Sequence, residues 1–574
     1  DFDCYGNVLP GLAESWESNA DKTVWTFHIR PDVWWLNYEG EKYTEVTADD
    51  WVTSAQYVND ARHESTCQYM YTSGSIVKGA EDYYNYTDYL MKTANGTVDT
   101  DPDGNKIEPV AEVNPESIGV KAIDKYTLEY TLEQPCPFFL SVLSYTSYMP
   151  VNRQFLEECG DMFGRNNKNL LYNGAYILSY YQPQEKHILS KNPQYWDLDN
   201  VHIDRIEEEY NPDAFAVQSS MFLNGQIDYA QIDSDMLDTW LNDETTKNLV
   251  HRARPDISYS YFYTFNFDPK FNAEYEPENW LIAVNNENFR QAIASAINKK
   301  EVFSVYEPYG TESIISNTVT PKTFTAFDGM DYTEYPALKD ITNSERFNEE
   351  QARIYRDKAR EEIEELGGTF PVKVLMPYNP GAVNWNNECY ALEKQLEDTL
   401  GSDFIDVIVQ AGPESGFLSA VRRSGNYAFM KCNWGADYTD PQTYTEPFAE
   451  GSTYNFWYKS ENPDTQQLYQ LWTEKVNEAK SNFTDYHKRY TLFSEAESLL
   501  INHAVIVPAS ISLDSGYCVS KLNPFEGEFS SIGIVLQRYK LYHMNETSMS
   551  MEKYSKEYQK WLAERDKASQ NSNQ

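Results

Sequence analysis

Positive charge is scarce in this chain. Forty-seven Lys plus Arg stand against 89 Asp plus Glu among 574 residues, a formal net charge of -42. A surface so acidic repels phosphate backbones and anionic lipid, which argues against nucleic-acid binding. It favours solubility and draws cationic ligands weakly. Cysteine is sparse as well: Cys4, Cys67, Cys136, Cys159, Cys389, Cys432 and Cys518 are scattered, with no CxxC and no Cys/His cluster. That spacing supports neither a dense disulfide framework nor a structural zinc site, and the odd count leaves at least one thiol free unless it pairs between chains. No apolar run reaches the roughly 18 to 20 residues that span a bilayer. Asp1-Phe2-Asp3-Cys4 reads as interior sequence, without a signal peptide or lipid-attachment box.

Histidine is thinly spread over eight positions, none paired at i, i+4. HExxH, the GxxxxGK[ST] phosphate loop and the GxSxG elbow are all missing, so the common metalloprotease, nucleotide-hydrolase and esterase chemistries find no motif here. No cofactor is expected. One fragment resembles the start of a calcium loop, Asp99, Asp101, Asp103 and Gly104, where alternate carboxylates converge and Gly permits the sharp turn. Its twelfth position is Val110 instead of a bidentate Glu, and Pro102 restricts the loop. A solvated acidic turn is the plainer reading, and calcium stays open.

Aromatic rings are what the chain has in quantity: 45 Tyr, 27 Phe and 13 Trp. Such rings offer apolar area with a polar tip, suited to surfaces that meet variable ligands, although most serve a core or its rim. Strand and helix signals alternate along the chain. Trp25–Arg30, Tyr126–Leu132, Ile203–Tyr210 and the aromatic run Ser258–Phe267 read as strands. Thr47 reads as the cap of a helix, with Asp50 three residues on as a near capping box. Phe215–Asn224 reads as a helix, and Asn288–Phe303 as a single amphipathic one. Glu349–Leu366 reads as a long charged helix stopped by Gly367-Gly368. Val372–Met376, Cys389–Leu400 and Phe404–Gln410 then give a strand, a helix and a strand, a βαβ pattern that indicates α/β lobes. A Lys/Glu-rich stretch carrying Met551, Tyr554, Tyr558, Trp561 and Leu562 reads as a docked surface helix, with a disordered polar tail from Lys567 on.

Six segments, in order along nearly the whole chain, resemble the oligopeptide/dipeptide-binding proteins of bacterial ABC importers (extracellular solute-binding protein family 5). They are Pro10–Glu17 with Trp25–Arg30, Val46–Asp50, Asn173–Tyr176, Asn192–Asp197, Asn288–Lys299 and Asn433–Pro441. The resemblance implies an α/β, two-lobed periplasmic-binding-protein-like fold with mixed sheets, a hinge between the lobes and an extra inserted domain. Residues 1–149 would be chiefly the insert, 150–258 and 520–574 lobe I, and 259–519 lobe II. The family carries further strands before the Pro10-Gly11 signature, where this chain has nine residues; those N-terminal strands of lobe I are expected to be missing.

The resemblance also implies a function: an extracytoplasmic, monomeric binding subunit, not an enzyme. It would capture an oligopeptide between the lobes and deliver it to permease subunits. It would be periplasmic, or held to the outer face of the membrane by an N-terminal lipid. A peptide offers an α-ammonium, a backbone ladder and a C-terminal carboxylate, and a binder indifferent to sequence grips those three. Asp437 is implied as the partner of the ammonium; the alternative has it capping its own turn before Pro441. Asn433 and Trp434 would meet the peptide backbone, with Trp434 as a pocket wall or as plain core, and Tyr438 lies beside them. Lys431, Arg422 and Arg423 are candidates for the carboxylate, each Arg alternatively a solvated loop cation. Lys431 stands where the family more often has the bidentate Arg fork. Tyr378 and Asn379 match a cleft-facing loop, and Tyr261 and Tyr263 alternate on the aromatic strand. The same fold binding an oligosaccharide or a metal chelate is the second reading, and a secreted peptidase or other hydrolase a distant third.

Overall fold

The computed structural model describes residues 1–73, 75–93, 99–100, 106–254, 259–413, 415–454, 456–513, 516–530, 532 and 538–572. Asp101, Asp103 and Gly104 of the calcium-like fragment lie outside them. Two compact units emerge. One comprises Asp1–Gln231, Asp243–Arg254 and Cys518–Gln574; the other comprises Ile232–Asn242 and Pro255–Tyr517. No helix is long and apolar enough to cross a membrane among the described residues.

The first unit is built on antiparallel sheets. Strands Ala13–Ser18, Val24–Ile29, Thr127–Thr131 and Val120–Asp124 lie side by side in that order. Along Val24–Ile29 the side chains alternate, with Trp25, Phe27 and Ile29 buried. Phe139 and the edge of Tyr130 pack on them, at centroid separations of 5.7 Å to Trp25 and 6.0 Å to Phe27. Each such ring contributes roughly 1.5–3 kcal/mol through the apolar area it removes from water.

The helix expected to be capped by Thr47 runs Asp49–Val58, and its cap residue is Ala48, with no side-chain bond. The other half of the capping box forms: the Thr47 amide donates to Asp50 Oδ2 at 2.8 Å. Trp35 Nε1 and Asn152 donate to the same carboxylate, which burial pushes above the usual aspartate range. At the other end of the chain, the helix Met551–Ser572 extends through the segment expected to be a disordered tail. Its stripe Tyr554, Tyr558 and Trp561 packs on Phe525, and Trp561 Nε1 donates to Cys4 O at 2.7 Å.

The second unit is mixed. Tyr259–Phe265 is the middle strand of an antiparallel sheet between Phe429–Gly435 and Ile506–Ser510. Flanked on both edges, it buries Ser260 and then Phe262 through Phe265, which explains its nearly continuous aromatic run. Val372–Tyr378 and Ile405–Ala411 pair in parallel, joined by the helix Trp385–Leu400, because parallel neighbours need a long crossover. The long charged helix Glu349–Glu365 ends as its sequence predicts, with Gly367 at φ +84° and the Gly367 and Gly368 amides donating to Glu364 O and Ile363 O.

The expected single helix over Asn288–Phe303 is two. Glu287–Ala296 stops, Ile297 and Asn298 are extended, and Lys299–Phe303 resumes. Asn298 causes the break: its side chain accepts from the Glu301 amide at 3.3 Å, and its own amide is claimed by Gln395 Oε1 at 3.0 Å. Helix Glu287–Ala296 is buried over most of its length. Its Arg290 guanidinium donates to the Val284, Ala504 and His503 carbonyls at 2.7, 3.2 and 3.2 Å.

Candidate functional site

All eleven expected site residues belong to the second unit. Five, Lys431, Asn433, Trp434, Asp437 and Tyr438, follow one another along and beyond the strand Phe429–Gly435, an edge of its three-stranded sheet. Strand periodicity puts Lys431, Asn433 and Gly435 on one face and Cys432 and Trp434 on the other. Register sets Tyr263 opposite Lys431, Tyr261 opposite Asn433, and Ser260 opposite Trp434.

Lys431 is buried, and its ammonium pairs with the fully buried carboxylate of Glu388. Tyr263 and Tyr306 donate to the two oxygens of that carboxylate at 2.5 and 2.6 Å, and Lys431 also donates to Tyr306 Oη at 3.0 Å. The rings of Trp385 and Tyr306 lie 4.7 and 5.1 Å from the ammonium. Burial first, and the Glu388 charge second, hold both phenols protonated. Lys431 and Tyr263 are thus brought together in an internal network. Glu388 and Tyr306, which complete it, were not among the expected site residues; Glu388 falls one residue before the point where the sequence places its helix.

Arg422 reaches a second cluster. Its Nη1 donates to Tyr454 Oη at 2.6 Å, and that hydroxyl donates to Asn433 O, also at 2.6 Å. Trp434 meets the Tyr454 ring edge-on at 6.2 Å. Arg423 is exposed. At the end of the parallel pair, Asn379 closes its own turn by accepting from the Gly381 amide at 3.0 Å; Tyr378, half-buried, precedes it.

Beyond Gly435 the chain turns into a buried loop. Asp437 is 8% exposed, and its amide donates to Thr443 Oγ1 at 3.0 Å. Tyr438 donates to Glu446 at 2.7 Å, a carboxylate that also receives Gln442 and Lys480. The residue that caps the turn before Gln442 is Asp440, through Oδ1 at 3.0 Å. Asp440 is gripped from outside by Arg489, with Nε at 3.0 Å and Nη2 at 2.8 Å, and both side chains are essentially inaccessible. A bidentate fork of this kind fixes direction as well as distance. It sets where Asp437, three residues earlier, is held.

Three polar atoms stand near this end of the sheet, on both of its faces. Trp434 Nε1, Ser260 Oγ and Ser510 Oγ are buried and have no hydrogen-bond partner among the described residues. Ser260 opposes Trp434, and Ser510 opposes Tyr261 on the neighbouring strand. Trp434 and Ser260 share one face, and Ser510 lies with Tyr261 on the other; buried polar atoms are nearly always satisfied in folded proteins, so each atom left open calls for a water or a ligand. Burial and serine content carry no sequence signal for such atoms; only the register places them.

An α/β body with open polar groups where its strands end has the form of a solute-binding protein. Comparison with known proteins makes this specific. Residues 7–456 match the family described as bacterial extracellular solute-binding proteins, family 5 Middle. The chain belongs to that family.

The oligopeptide-binding protein SarA of Streptococcus gordonii is 27% identical over 98% of this chain and 86% of its own length. Among solved structures, the substrate-binding domain of an oligopeptide ABC transporter from Bacillus anthracis matches with TM-score 0.68 at 22% identity. That match covers 96% of this chain and 92% of the other. Listeria monocytogenes OppA bound to peptide matches with TM-score 0.66 at 21% identity, covering 94% and 90%. The fold is that of the OppA-type periplasmic binding proteins, mixed α/β with several sheets, as the sequence led us to expect.

Proposed function

We propose that this chain is the substrate-binding subunit of an ABC importer, a binding protein and not an enzyme, which captures oligopeptides and delivers them to permease subunits. One observation carries the reading: buried Asp437, positioned through Asp440 and Arg489, follows a strand whose end leaves Trp434 Nε1, Ser260 Oγ and Ser510 Oγ open. SarA and its peers, whose names declare oligopeptide binding, support it.

Asp437 takes the α-ammonium in a charge-assisted bond worth about 1.5–3 kcal/mol. The edge strand offers Asn433 and Trp434 to the backbone of an extended peptide, in the manner of an added strand. Arg423 is the exposed cation for the carboxylate, and Arg422, Tyr438, Tyr378 and Asn379 shape the surroundings. Lys431 and Tyr263 act from beneath, through Glu388. In domain terms, residues 1–149 form the inserted domain, 150–258 with 520–574 lobe I, and 259–519 lobe II; the two compact units support the last boundary. The subunit works outside the cytoplasm as a monomer, periplasmic or held to the membrane by an N-terminal lipid.

Calorimetric titration with a peptide pool and then single peptides tests the reading. Asp437→Ala is expected to weaken binding at least ten-fold. Unchanged affinity removes Asp437 from the site. A heat signal with oligosaccharides or metal chelates, and none with peptides, overturns the peptide assignment.

A further inference from the structure

Within the second unit a cavity of about 300 Å³ opens where the helix Glu287–Ala296, the start of the helix Glu349–Glu365 and the strand Ile506–Ser510 meet. Two cations line it, Lys299 and Arg346. Lys299 spends its ammonium on neutral acceptors: Ser316 O at 2.7 Å, Asn317 Oδ1 at 2.5 Å and Pro508 O at 3.1 Å. Arg346 does likewise, through Nη1 to Ile501 O and Nη2 to Gln291 Oε1, both at 2.6 Å. Neither forms an ion pair among the described residues. Glu345 acts on Lys299 and Glu287 on Arg346 only through space, and the Glu287 carboxylate is committed to His503 at 3.0 Å.

Two positive charges therefore share a cavity without a counter-charge in contact with either among the described residues, in a chain with 42 more formal negative charges than positive. Desolvation and mutual repulsion both act against them: burial, with Arg346 adding, pulls Lys299 down to about 7. The cavity also carries the side chains of Tyr355 and Gln351, with Ser344 and Asn502 exposed at its rim. A guanidinium that has used one N–H on each terminal nitrogen keeps further donors for a planar or tetrahedral oxyanion.

We propose that this cavity is a binding site for one small oxyanion, a carboxylate or a phosphate, held by Arg346 and neutralised jointly by Arg346 and Lys299. The anion supplies the counter-charge the fold omits. The strand Ile506–Ser510, whose Pro508 carbonyl Lys299 holds, is stabilised with it. The site shares no residue with the proposed peptide site and stands or falls independently of it.

The test is thermal unfolding of the whole chain in sodium phosphate, sodium acetate and sodium chloride at matched ionic strength, followed by calorimetric titration of whichever anion stabilises. Saturable stabilisation beyond chloride is expected, by phosphate, acetate or both; the pattern identifies the source. Arg346→Gln should weaken that anion at least ten-fold and leave peptide affinity within two-fold. Where Arg346→Gln fails to fold, Tyr355→Phe serves, with a several-fold loss expected. Identical effects of the three salts on the wild-type chain overturn the proposal. So does full anion affinity in a folded Arg346→Gln protein.

Discussion

The Lys431 ammonium and the Glu388 carboxylate are 3% and 0% exposed, so each depends on the other for the solvation it has lost. Removing one partner strands the other, and losses of about 3–5 kcal/mol follow in such cases, whereas replacing both by apolar groups is often neutral. Lys431→Met is accordingly expected to cost several kcal/mol in urea unfolding, and the Lys431→Met/Glu388→Leu pair to recover part of it, since the buried Tyr263 and Tyr306 hydroxyls lose their acceptor. The double variant should also keep whatever preference the protein shows for a free C-terminal carboxylate over its amide. Loss of that preference would return Lys431 to the role of carboxylate partner.

A second residue-scale expectation concerns Lys299. Its folded value, about 7, lies below the ordinary 10.5 because burial, and then Arg346, disfavour the charged form, while Glu345 opposes them. Between those values the unfolded chain binds a proton that the folded one does not, so stability rises with pH across that window. Relative to Lys299→Met, wild-type stability should climb from pH 7 towards 10.5, as read by unfolding midpoints in anion-poor buffer.

At the scale of elements, the loop after Gly435 owes its shape to one fork. Arg489 lies on the helix Tyr486–Asn502 and grips Asp440 across the unit. Arg489→Lys keeps charge and loses the second bond. It is expected to lower peptide affinity several-fold with secondary structure intact, as measured by titration and circular dichroism.

Much of the fold was legible in the sequence: strand alternation at Val24–Ile29, the Gly367-Gly368 stop and the βαβ unit around Trp385–Leu400 are local patterns. What was not legible depends on partners remote in sequence. The helix break at Asn298 involves Gln395, and the loop that carries Asp437 is held at Asp440 by Arg489. Glu388 looks like one more acid at the edge of a helix until the fold brings Lys431 to it. The segment around Asp437 could be found by resemblance; placing the open atoms of Ser260 and Ser510 required the register of three strands. Asn298→Ala should cost about 1 kcal/mol through the lost cap.

For the molecule as a whole, the net charge of -42 acts over a range set by salt. The Debye length falls from about 30 Å at 0.01 M to about 8 Å at 0.15 M. Cationic peptides should thus associate faster than neutral ones of equal length at low salt, and the advantage should shrink at physiological salt. Stopped-flow association rates check this; salt-independent rates would confine recognition to local contacts.

The first unit places Tyr517–Ser520 between Tyr229–Gln231 and His251–Arg252, as the middle strand of a three-stranded sheet. Those flanking strands leave a ribosome or an export channel long before the strand that joins them, since nearly all of the second unit is encoded in between. Closing that sheet is a late event by necessity, and it waits on the carboxyl end of the chain. A nascent chain halted before Tyr517 would thus carry a complete aromatic strand and βαβ unit yet expose an unzipped first unit to proteases. The order of the strands along the chain is itself a timer for the closing of that sheet.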